Sequence, residues 1–250
     1  MTLTQSTNSA RSSISTVSEQ ISVISQNISR VNDPDANRKV AKVVSGPGGV
    51  MVAGITRTAN KLLLDTYLSA NAGSQTQTVV NSALNQLENT VGDTAAETSP
   101  AALIAKFNVA LQTYSSTPQN SALAANAVSA AQQVVSALNS ASDAVTTLRN
   151  QADTEIASSV DNINSLLSQF KTLNQQVVTG TSTGRDVTDV LDQRDAVLKQ
   201  LSTEIGIRSV SRDNGDMAIY TDSGVTLFDK TPRAVTFQPS GNLSASAIGA

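Results

Sequence analysis

Residues Gln119 to Val178 contain neither Pro nor Gly, and their apolar positions recur at steps of three or four. Leu138, Ala141, Val145, Leu148, Ala152, Ile156, Val160, Ile163, Leu166, Phe170, Leu173 and Val177 all fall on that rhythm. The spacing predicts one very long helix, a rod of about 90 Å at 1.5 Å per residue. Rods of that length are uncommon inside compact enzymes. The cluster Gly180 to Gly184 is expected to end it, and a further helix is expected over Asp186 to Glu204.

The N-terminal segment carries a second, stricter rhythm. Leu3, Thr7, Ala10, Ile14, Val17, Ile21, Ile24, Ile28 and Val31 alternate in steps of four and three, the coiled-coil period. Ser, Thr, Asn and Gln fill the remaining positions, and these include mediocre helix formers. An isolated helix here is marginal. The seam Ile14, Val17, Ile21, Ile24, Ile28 and Val31 is therefore expected to need a partner helix, from this chain or a neighbouring subunit. Asp33-Pro34-Asp35 ends the segment.

Lys39–Val44 and Val50–Ile55 read as two short strands joined by Ser45-Gly46-Pro47-Gly48-Gly49, a small hairpin near 39–56. As a phosphate cradle the loop lacks the Lys-Ser/Thr of a P-loop. Helical periodicity returns from Ala59 to about Glu88, and Ser99-Pro100 has the chemistry of an N-cap followed by a first-turn proline. After Gly206 four β-like runs appear: Ile207–Arg212, Met217–Thr221, Val225–Phe228 and Ala234–Phe237. The turn signals Asp213-Asn214-Gly215, Asp222-Ser223-Gly224 and Lys230-Thr231-Pro232 separate them. A few strands without a closing element read as the front portion of a longer protein. The expected class is mainly α: long coiled-coil-like helices in an elongated bundle, with the hairpin and the beginning of a β-rich domain after 206. The expected divisions are 1–34, 35–205 and 206–250.

Composition narrows the chemistry. The 250 residues include no His and no Cys, which excludes His-dependent triads, Cys nucleophiles, thiolate metal sites and disulfides. Lack of Cys suits a protein that leaves the cell, and equally arises by chance in a cytosolic one. Lys plus Arg number 17 against 20 Asp plus Glu, a net charge of -3, so broad nucleic-acid binding is not expected. No apolar run approaches the roughly 18 residues of a membrane span, and no basic-then-apolar leader opens the chain.

The densest ionisable cluster is Arg185, Asp186, Asp189, Asp192, Arg194, Asp195 and Lys199. Asp192 and Asp195 share a helix face and are candidates for acid–base work or a divalent ion. Interleaved cations, with Asp186 at the helix start, favour a solvated, salt-bridged helix instead. Asp213-Asn214-Gly215-Asp216 reads as a hairpin turn rather than a calcium loop. No catalytic residue, cofactor or metal ligand is assigned, and the chain is not expected to be an enzyme.

Four stretches carry a resemblance. They are Ser25–Pro34, Gly49-Val50-Met51-Val52-Ala53-Gly54-Ile55-Thr56-Arg57, Glu155–Leu166 with Leu173-Asn174, and Asp189-Val190-Leu191-Asp192-Gln193-Arg194-Asp195-Ala196-Val197-Leu198-Lys199-Gln200-Leu201-Ser202. In this order they resemble the hook-associated protein 1 family of the bacterial flagellum. The first stretch is general to flagellar axial proteins; the last two are specific to the junction family. Asn32-Asp33-Pro34-Asp35-Ala36 departs from the family's Asn-Thr-Pro-Gly-Tyr. The resemblance implies a structural role at the hook–filament junction, in a short ring of identical subunits with terminal helices in the inner core. It implies contacts with the hook protein and the second junction protein, hook-associated protein 3. It also implies passage through the flagellar type III export apparatus with a chaperone, and an extracellular location. The competing reading is another secreted or surface coiled-coil protein, such as an adhesin stalk or a type III secretion tip factor. An enzyme working with carboxylates alone is the more remote alternative.

Overall fold

The computed structural model describes residues 3–46, 48–92 and 97–240. The chain is mainly α-helical and divides into two compact units. The first comprises 1–75 and 161–235, the second 76–160 and 236–250.

In the first unit, helix α1 (Leu3–Ser29) precedes the antiparallel hairpin β1 (Lys39–Gly46) and β2 (Gly49–Arg57). The register runs from Lys39 opposite Arg57 to Gly46 opposite Gly49, with a bulge at Lys42/Val43. Pro47 of the expected turn lies outside the described residues. Gly49 has φ +121, and a Cβ there would sit 3.1 Å from Ser12 Cβ and 3.2 Å from Ser9 Cα. Glycine is thus needed both for its backbone geometry and for the close approach of α1.

The apolar core of this unit lies elsewhere. It is built by the start of α2 (Lys61–Val91), the end of α4 (Ser121–Ser182), α5 (Thr188–Glu204) and a small sheet. Leu68, Ile163, Leu167, Phe170, Leu198, Leu201, Ile219 and Phe228 are buried there, and the Phe170 and Phe228 rings meet edge to face at 5.0 Å. The sheet is antiparallel in the order β3 (Ile207–Ser211), β4 (Met217–Thr221), β5 (Thr226–Asp229), β6 (Thr231–Pro232).

Three local expectations change. Helix α4, 62 residues long, continues through Gly180 to Ser182. The glycine there makes room for Val187, whose Cγ1 would lie 2.3 Å from an added Cβ, so packing rather than helix breaking accounts for it. Ala234–Phe237 is not a strand; the short last strand uses Thr231-Pro232, which reads as a turn in the sequence. The backbone of Val235 is occupied by the Asn164 side-chain amide, which accepts from Val235 N at 3.0 Å and donates to Val235 O at 2.9 Å. A side chain of α4 has taken the place of a neighbouring strand. Finally, α5 begins at Thr188 with Val187 at the cap position and no side-chain cap; Asp186 Oδ1 instead accepts from Thr188 N.

The second unit holds the rest of α2, helix α3 (Pro100–Ser116) and α4 up to Val160. Ser99 caps α3 as expected, its side chain accepting from Ala102 N, with Pro100 in the first turn. Asn120 does the same for α4, accepting from Ala122 N and Leu123 N. Among its described residues only Ser99 and Ala127 are buried, and Val80, Leu84, Leu138 and Val145 remain about half exposed. Asp93, from the expected loop after Gly92, lies outside the described residues.

Candidate assembly surface

Helix α1 has two long faces of opposite character. Ile14, Val17, Ile21, Ile24, Ile28 and Val31, the expected seam, are all between 51% and 74% exposed. The buried and half-buried stripe lies on another side of the helix and is mostly polar: it holds Ser12, Thr16, Val23 and Asn27, of which Ser12, Thr16 and Asn27 bond the hairpin. Ser12 Oγ and Thr16 Oγ1 both donate to Val50 O, at 2.5 and 2.7 Å. Asn27 brackets Lys39, donating to its carbonyl and accepting from its N–H, each at 2.9 Å. Small hydroxyl side chains let the hairpin backbone approach the helix closely. The expected partner helix is therefore replaced, within the chain, by a hairpin on the polar face. The apolar face stays exposed.

The turn after α1 is held by Asp33. Asp33 Oδ1 accepts from Asp35 N at 3.0 Å, and Asp33 Oδ2 accepts from Arg30. The Asp35 N–H and the Arg30 guanidinium hold the Asp33 carboxyl below its ordinary range. An Asx turn thus reverses the chain without glycine.

The charged block of α5 is salt-bridged as expected, with Arg185, Asp186 and Asp189 exposed, but its middle is not solvated. Asp192 is 1% exposed, Arg194 4% and Asp195 6%. Arg57, at the end of β2, bonds Asp192 at 3.0 Å and Asp195 at 2.6 Å through one nitrogen. Asn37 donates to Asp192 twice, from its backbone N and its side-chain amide. Asp189 takes Arg30 and the buried Lys39, and Asp35 takes Lys199. Arg194 turns the other way, donating to Asn174 Oδ1 at 3.0 Å and to Gly215 O at 2.7 Å. Burial lowers the Arg194 pKa from its ordinary value, offset in part by the Asp195 and Asp216 charges. Asn174 donates in turn to Asp216 Oδ1, which also serves Met217 N, while Arg212 pairs with Asp216 Oδ2. Burial alone would raise the Asp216 pKa, but these donors bring it below the ordinary carboxylate value. Asp213–Asp216 is accordingly a hairpin turn held from within.

One sign of this burial was present in the sequence. Arg194 is three residues after Leu191 and four before Leu198, on the apolar stripe of α5. The partners of Asp192 and Asp195 were not legible, because Asn37 and Arg57 are 135 to 155 residues away.

Beside this network lies a cleft of about 770 Å³, lined in part by Arg57, Leu64, Tyr67, Arg194, Lys199 and Met217. Its cations are engaged: Arg57 with Asp192 and Asp195, Lys199 with Asp35 and near the Tyr67 ring. No group of three carboxylates placed to hold a metal occurs among the described residues, and no described helix is long and apolar enough to cross a membrane.

Comparison with known proteins bears on the whole arrangement. Residues 84–246 match the family described as the flagellar hook-associated protein FlgK helical domain. Flagellar hook-associated protein 1 of Salmonella typhimurium is 25% identical over 246 residues, covering 93% of this chain and 44% of the relative. That of Bacillus subtilis is 27% identical over 107 residues, covering 42% and 21%. The chain thus spans less than half the length of these relatives. In solved structures it is similar to the flagellar hook junction protein FlgK from Burkholderia pseudomallei, with TM-score 0.59 and 26% identity, over 66% of this chain and 29% of that one. With the helical-domain match covering more than half of its residues, the chain belongs to the FlgK family of flagellar hook-associated proteins.

Proposed function

We propose that the chain is a structural component of the bacterial flagellum at the hook–filament junction, where copies of it associate side by side into a short ring. The observation that carries this reading is the exposed α1 heptad in a member of this family. Six Ile and Val side chains at heptad spacing, five on α1 and Val31 just after it, are more than half exposed in the described subunit. Each contributes at most about 1.5–3 kcal/mol when buried. Residues 1–34 act as the polymerisation helix, 35–205 as the helical body, and 206–250 as the beginning of an outer β-rich region. The role is structural rather than catalytic. By family analogy, the hook protein and hook-associated protein 3 flank the ring, and the flagellar type III apparatus with its chaperone delivers the chain to the cell exterior.

The test is Ile21→Asp in the source bacterium. A charge in the middle of the seam is expected to abolish filament attachment while the purified chain keeps its helical content. Normal filaments on cells carrying only this variant would refute the role of the seam.

A further inference from the structure

The two layers of the first unit are joined in an unusual way. The apolar core draws on α2, α4, α5 and the β3–β5 sheet, and no residue of α1, β1 or β2 belongs to it. Helix α1 and the hairpin are instead bound to one another by Ser12, Thr16 and Asn27. A set of ion pairs and hydrogen bonds ties this pair and the turn between them to α5. Asp189 holds Arg30 and Lys39, Asp192 holds Asn37 and Arg57, Asp195 holds Arg57, and Lys199 holds Asp35. All four anchoring residues on the core side stand on α5.

We propose that α1 and the hairpin form one module carried on the core by an ionic joint centred on Asp192, and that the module releases or re-orients as a unit while the core stays folded. The physical reason lies in what each separation exposes. Parting two apolar layers exposes surface to water at about 25 cal/mol per Å². Parting this joint exposes charges, which water re-solvates, so the desolvation penalty of the closed state is returned on opening. Asp192 is the centre because it is the most deeply buried of the four and accepts from two separate chain segments, the 34–38 turn and the end of β2. It is a positioning residue: it sets the direction in which α1 presents its seam. The outer groups, with Asp189 and Asp35 side chains 57% and 43% exposed, are those that salt screens.

The absence of Cys allows a direct test, since labels can be placed singly. Lys42→Cys on β1 and Ser168→Cys on α4, both exposed, carry spin labels on the module and on the core. Pulsed electron resonance then reads the distance distribution. At low salt a single narrow distribution is expected. In 1 M NaCl, and in Asp192→Asn at low salt, it is expected to broaden at least about twofold, with amide exchange in β3–β5 changed by less than about threefold. Arg57→Gln is the second variant and is expected to behave as Asp192→Asn. Asp229→Asn, which removes a partner of Arg212 outside the joint, is expected to leave the distribution narrow. An unchanged distribution in 1 M salt and in both joint variants would overturn the proposal. So would loss of β3–β5 protection in step with the broadening, since that would make the joint part of the core. If Asp192→Asn fails to fold, the salt series on the otherwise unmodified labelled chain decides between these outcomes.

Discussion

Helices α1 and α5 invert the usual relation between side-chain type and burial. On α1 the Ile and Val side chains at 14, 17, 21, 24 and 28 face solvent, as does Val31 just past its end, while on α5 Asp192, Arg194 and Asp195 are enclosed. The difference is one of available partners. Each buried charge of α5 has a bonded partner: Arg57 and Asn37 for Asp192, Arg57 for Asp195, Asn174 and Gly215 for Arg194. Such pairs contribute little net stability but are costly to break singly, so they favour one arrangement of the segments they join. The seam residues, by contrast, are left exposed by the described residues. Under the proposed function, a helix of a neighbouring copy covers them. The buried charges would then hold the subunit's own segments together, and the exposed apolar residues would meet its neighbour.

The comparison breaks first at the core. Phe170→Ala removes a fully buried ring from its contact with Phe228 and is expected to cost about 3–5 kcal/mol in denaturant unfolding of the first unit. A loss below about 1 kcal/mol would mean that α4, α5 and the sheet do not share one core. Gly49→Ala is the next largest. Its positive φ and the 3.2 Å approach to Ser9 Cα force α1 away from the hairpin, at about 1–3 kcal/mol. Faster amide exchange in both α1 and the hairpin, with β3–β5 unchanged, is the expected signature.

Acid sharpens the same contrast on the polar side. The Asp216 pKa is depressed in the folded chain, so its stabilisation is complete above the unfolded value of about 3.9 and is lost as pH falls through the lower folded value. Asp216→Asn should therefore flatten the loss of stability below about pH 4, read from urea midpoints between pH 6 and pH 3. An unaltered acid limb would assign it to other carboxylates. The smallest effect belongs to the seam: Ile21→Ala is expected to change the stability of the isolated chain by no more than about 0.5 kcal/mol. A loss of 2 kcal/mol or more would show that Ile21 is already buried in the free subunit, against its 57% exposure.

Periodicity, capping chemistry and turn residues are local properties, and they determined much of the architecture. The Pro- and Gly-free run specified the long α4, the 4–3 spacing specified α1 and its apolar face, and Ser99-Pro100 specified the start of α3. The alternating runs after Gly206 specified three of the strands. Tertiary structure decided which backbone and which charge found a distant partner. It gave Val235 to the Asn164 amide instead of a strand, and set the polar side of α1 on the hairpin through Ser12 and Thr16. It also drew Asn37 and Arg57 onto Asp192, turning a block that reads as solvated into a buried joint. A hydrogen-bond donor or an ion has no period, and its partner is set by proximity in space, which spacing along the chain does not encode.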